Sequence, residues 1–86
     1  MPERSLRQIA VEIRDDWKPV SGYAIEQLDG MQEAGTLEGR WGVETGAEAV
    51  RSFLTSAYRW RGGTARRVKA ELKIMLKAHS RKRTSR

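Results

Sequence analysis

Leu6, Ile9, Ala10, Ile13 and Trp17 recur at the i, i+3, i+4 interval that puts them on one side of a helix. Ser5 precedes them and Gln8 follows three residues later, a capping-box pair that can satisfy free amides at a helix start. Pro19 disfavours helical geometry at Lys18, so the first predicted helix covers residues 5–17. Residues 18–22 read as a turn. Ala24, Leu28 and Met31 share the next helical face, and the second predicted helix covers 23–33, with Gly30 weakening it by about 1 kcal/mol relative to alanine.

Four glycines punctuate residues 35–46, at 35, 39, 42 and 46. Leu37 and Trp41 lie among them and would be out of place in a fully solvated loop. We therefore expect an ordered Gly-rich loop whose Leu37 and Trp41 plug the edge of the core. A hairpin is the lesser alternative there, because two strands alone are barely stable. Thr45 and Glu48 form a second capping-box pair, followed by Val50, Phe53, Leu54 and Ala57, which predicts a helix over 46–59. Trp60-Arg61-Gly62-Gly63 breaks it. Ala65, Val68, Leu72, Met75 and Leu76 line one side of a last helix, expected over 64–78. Residues 80–86 have no apolar anchor and read as a basic, disordered tail.

The pattern gives an all-α fold: a compact four-helix domain spanning 1–79, an ordered Gly-rich loop at 35–46 and a basic C-terminal tail at 80–86. The expected core is Leu6, Ile9, Ile13, Trp17, Leu28, Met31, Val50, Phe53, Leu54, Ala57, Val68, Leu72 and Leu76. A chain this short buries only roughly 60–65% of its unfolded surface, so that core is thin. A thin core and three tryptophans are compatible with a homodimer.

Charge changes the picture more than composition does. Net charge is +6, but residues 1–58 carry 6 Lys/Arg against 10 Asp/Glu, whereas residues 59–86 carry 11 against 1. The front of the chain is acidic and the back strongly basic, an asymmetry that acts at long range on anions. Arg66, Lys69, Lys73 and Lys77 fall within about 80° of arc on the last helix. A stripe of this kind can follow a phosphate backbone, with Arg61 at the helix entrance and Arg81, Lys82, Arg83 and Arg86 prolonging the path. The plainer reading is a solvated helix face and a solubilising tail, since Lys and Arg favour helix C-termini. Trp60 beside Arg61 can stack a base or, more plainly, cover the core. The order of the last two helices fits a helix-turn-helix, with Gly62 and Val68 on its turn and buried slots. Tyr58, however, occupies a small-residue position, and the second helix offers no Asn or Gln for adenine.

Little else carries chemistry. With no cysteine, disulfides, thiolate nucleophiles and cysteine zinc sites are excluded. Asp15 and Asp16 are adjacent on a helix and point about 100° apart, so they do not converge. His79, the one histidine, lacks a second acid or base beside it in sequence. No enzymatic activity and no cofactor is expected. No apolar run approaches the length of about 18 residues needed to span a bilayer, and the polar start Met1–Ser5 carries no secretory signal, so a cytoplasmic setting is expected.

Leu6 to Trp17, Ala24 to Met31 and Val50 to Leu72 together resemble a group of small proteins of actinobacteria and their phages, mycobacteriophages included. The most distinctive spacing is Phe53-Leu54, Trp60-Arg61-Gly62, Ala65-Arg66, Lys69 and Glu71-Leu72. The resemblance covers about residues 5–76 and implies a phage or actinobacterial source, with no activity attached. Two functions are thus expected to compete. The first is a small accessory protein holding nucleic acid, mostly non-specifically, through Arg61, Arg66, Lys69, Lys73, Lys77, Arg81, Lys82 and Arg83. The alternative is a modulator of a host protein, using the acidic front and a surface around Tyr23 and Trp41.

Overall fold

In the computed structural model, residues 4–20 and 22–84 are described, with side chains to Ser80. Four helices carry the fold: α1 (Leu6–Asp16), α2 (Tyr23–Ala34), α3 (Gly46–Ser56) and α4 (Gly63–Thr84). Both capping boxes form. The Ser5 and Thr45 side chains accept from the amides of Gln8 and Glu48, whose own side chains accept from the cap amides. The two pairs settle where α1 and α3 begin.

Residues 35–46 hold more regular structure than an ordered loop. Strand β1 (Arg40–Trp41) pairs antiparallel with β2 (Glu44–Thr45), Arg40 opposite Thr45 and Trp41 opposite Glu44. Gly42, at φ +63°, takes the first central position of the two-residue turn, where a side chain would be strained. Isolated strands of this length would not persist, and here packing holds them. The Trp41 indole lies against Gly30 of α2, so closely that a Cβ on Gly30 would collide with the ring. Behind the hairpin, the Gly46 amide donates to Gly39 O (2.9 Å) and the Ala47 amide to Leu37 O (3.0 Å), joining the segment to the first turn of α3.

The core gathers one side of every helix. Leu6, Ile9, Ile13, Leu28, Met31, Val50, Phe53, Val68 and Leu72 are fully buried. Trp17, Leu54 and Leu76, expected inside, are half-buried and pack on its edge. Alanines 10, 24, 49 and 57 also lie fully inside, where their small size lets helix backbones approach.

α3 ends at Ser56, three residues before the expected stop, because the chain turns at Ala57 and the Trp60 amide bonds back to Ala57 O (3.0 Å). That turn carries the Trp60 ring inward. It stacks on Trp17 at 5.9 Å and 9°, meets Phe53 edge-on at 6.1 Å, and donates its Nε1–H to Asp16 Oδ2 (2.8 Å).

α4 begins near the expected place but continues to Thr84 instead of ending at about 78, so the backbone of the tail is helical through that residue. Nothing in the sequence halts it: no Gly or Pro follows Gly63, and Lys, Arg and Ala are good helix formers. At 22 residues it is about 33 Å long, most of the 42 Å long dimension of the molecule. No helix among the described residues is long and apolar enough to cross a membrane.

Candidate nucleic-acid interface

α4 has one acidic residue, and it points away from the cationic stripe. Glu71 takes a two-pronged bond from Arg4, at 3.0 Å from Nε and 2.6 Å from Nη2. Arg4 also reaches Glu12 of α1 (2.8 Å), and Arg67 of α4 bonds the other oxygen of Glu12. This chain of four charges fastens α4 to α1. It also removes Arg67 from the cations free to meet a ligand. The Arg4 bond, and then Arg67, hold the Glu12 carboxyl below its ordinary pKa against the opposing effect of burial.

Arg66, Lys73 and Lys77 are exposed, and among the described residues none of them pairs with a carboxylate. At 100° per residue they share an arc of about 40°. Lys69 belongs to the same run in sequence but behaves differently. Its Nζ donates to Trp60 O at 2.7 Å and stands 5.9 Å from the Trp60 ring centroid, half-buried against the core. Burial holds its ammonium below the ordinary lysine pKa, and neighbouring Lys73 and Arg61 push the same way. Lys69 is therefore a wall of the stripe rather than part of its open face. The Arg81, Lys82 and Arg83 side chains lie outside the described residues.

Arg61 and Arg66 flank the entry of α4, where a depression of about 400 Å³ opens between them. Tyr58, Trp60, Gly62, Ala65 and Lys69 complete its lining. Trp60 contributes an edge of a buried ring, 2% exposed, and has no free face on which a base could stack. Tyr58, by contrast, is 68% exposed, with the Arg59 guanidinium 5.8 Å from its ring centroid. Nothing in the sequence marks this exposure; there its bulk only disfavours a helix-turn-helix. The connection from α3 to α4, residues 57–62, is also longer than the three- or four-residue turn of that motif.

The two aromatics of the alternative surface part company. Tyr23 is 78% exposed and borders a groove of about 360 Å³ between α2 and α3, with Gln27, Arg51 and Ser52 along it. Trp41 packs on Gly30 with its Nε1 buried, so it stabilises the hairpin instead of presenting a face. His79 is almost fully buried, its Nδ1 3.3 Å from Glu38 Oε2 but without hydrogen-bond alignment. Comparison with protein-family models, curated proteins and solved structures returns no match to this chain.

Proposed function

We propose that this is a small accessory protein that holds nucleic acid by its phosphates, along α4, with little reading of sequence. One observation carries the reading: Arg66, Lys73 and Lys77 form an exposed stripe with no carboxylate partner among the described residues, while Arg4 holds the helix's own acid on another side. Arg66 to Lys77 spans roughly 16 Å of helix axis. That matches about five nucleotide rises of one DNA strand. Long flexible cations at this spacing contact backbone oxygens, and the stripe has no Asn or Gln to distinguish bases.

The test is the salt dependence of binding to a labelled 20-bp duplex, followed by fluorescence anisotropy from 50 to 200 mM salt. Each phosphate contact contributes a slope of about −0.9 to log K against log salt, so the triple variant Arg66→Gln, Lys73→Gln, Lys77→Gln loses about 2.7 from the slope. Unrelated sequences bind alike. An unchanged slope in the triple variant, or no binding at low salt, overturns the reading.

Tyr23 supports a second reading, a modulator of another protein, since so exposed an aromatic beside a groove is a common anchor at interfaces. Its mark is a stoichiometric protein partner that survives nuclease treatment and is lost in Tyr23→Ala.

A further inference from the structure

We infer that the depression at the start of α4 receives a phosphate at the end of a nucleic-acid strand, a phosphomonoester, with Tyr58 against the terminal nucleoside. The inference rests on the reading of α4 as a phosphate-binding helix and says where on it a strand stops.

The cations have two different arrangements. Lys73 and Lys77 stand singly along the open side of the helix, as contacts to successive internal phosphates would. Arg61, Arg66 and Lys69 instead converge on one depression of about 400 Å³. That is near the low end of the roughly 300–1,000 Å³ of small-ligand pockets, a size for one nucleotide end and not for a duplex. An internal phosphodiester carries one negative charge. A terminal phosphate carries nearly two at neutral pH, with three strong acceptor oxygens. Three converging cations match that charge better than they match a single diester.

The floor and rim fit the same group. Lys69 spends one N–H on Trp60 O and keeps its others for the depression. Crowded by Lys73 and Arg61 and partly desolvated, that ammonium gains from an arriving anion. Gly62 sits at φ +111° immediately before the helix, where it has no side chain to cap the first-turn amides. A Cβ on either Gly62 or Gly63 would meet nothing within 4 Å, so a ligand oxygen can come close to the backbone. The partial positive charge of a helix N-terminus adds to the attraction. Tyr58, exposed at the rim, offers a ring face to the adjoining base. Trp60, part of the lining, gives its indole N–H to an acid at the end of α1, Asp16. The stripe of Lys77, Lys73 and Arg66 runs out at this depression, where α4 begins, and a strand following the stripe ends there.

The experiment compares one 12-nucleotide single strand in three forms, with a 5′-phosphate, with a 3′-phosphate, or with hydroxyls at both ends, by anisotropy at fixed salt. The expected result is about a tenfold preference for one phosphorylated form over the hydroxyl form, the scale of one added charge-assisted hydrogen bond. Arg61→Gln and Arg66→Gln abolish the preference. Lys77→Gln lowers affinity for all three forms equally and leaves the preference intact. Equal binding of the three forms overturns the inference while the phosphate-track reading stands. Absence of binding to any form overturns the inference, and together with absence of duplex binding at low salt it overturns the phosphate-track reading as well. A free nucleoside monophosphate is the remaining arm: if it binds as tightly as the phosphorylated strand, the depression is a mononucleotide site and the assignment to strand ends fails.

Discussion

Replacing Trp60 measures how firmly the two charged halves of the protein are joined. The ring is 2% exposed, stacks on Trp17, meets Phe53 and gives its one N–H to Asp16. Trp60→Ala removes all of these at once and opens a cavity between α1, α3 and the start of α4. Truncation of a buried Trp or Phe costs about 3–5 kcal/mol. A domain of this size has roughly 4–13 kcal/mol in total, at 0.05–0.15 kcal/mol per residue, so the variant sits near the edge of unfolding. Trp60→Phe keeps much of the ring contact and drops the indole bond. Asp16 is exposed and can turn to water, so that loss lies at the low end of the usual 0.5–1.5 kcal/mol. Urea titration followed by far-UV circular dichroism reads both variants against the parent. Each kcal/mol also lowers the melting temperature by about 4–8 °C. A cost under about 1 kcal/mol for Trp60→Ala, or equal costs for the two variants, refutes the view that the stacked ring is what closes this junction.

Two glycines beside helix starts should respond in opposite directions. Gly46→Ala places a Cβ 2.0 Å from Thr36 O and 2.9 Å from Leu6 Cδ1, a backbone clash that costs at least about 1–3 kcal/mol, whereas Gly63→Ala meets open space and is neutral or up to about 1 kcal/mol stabilising, both read by urea titration. Glu12 supplies a pH test. Because Arg4 and Arg67 depress its folded pKa, its contribution is fully present above the unfolded value of about 4.3 and is lost as pH falls through the lower folded value. The stability difference between the parent and Glu12→Gln, at most about 1 kcal/mol for so accessible a network, is therefore flat above about pH 5 and shrinks toward pH 2; a constant difference throughout refutes the coupling.

The helices were legible because their signals are local. Ser5 with Gln8, and Thr45 with Glu48, announce their helix starts within four residues, and the apolar spacing behind them points to one side. The hairpin was harder to read because its stability comes from elsewhere. Its only local sign is a Gly42-Val43 turn, and what secures it is Trp41 against Gly30, eleven residues away in sequence. The end of α3 was misplaced for a similar reason: nothing before Trp60 foretells that its ring is drawn onto Trp17. Among the cations, spacing identified the stripe of Arg66, Lys73 and Lys77. It could not separate Lys69, whose partner is a backbone carbonyl. The depression beside Tyr58 had no local signature, since it exists only where the turn at residues 57–62 folds back on α4.

The bonds from Arg4 to Glu71 and from Trp60 to Asp16 join residues 67 and 44 positions apart. They bear on how the protein is born. In a nascent chain α1, α2 and α3 precede Trp60, Val68, Leu72 and Met75, so until these are made Trp17 and Phe53 lack the ring that covers them. Closure waits for the basic segment, which follows these helices in the chain. Native packing is therefore complete only once residues 60–75 have been made, and a product truncated before Trp60 leaves aromatic surface uncovered.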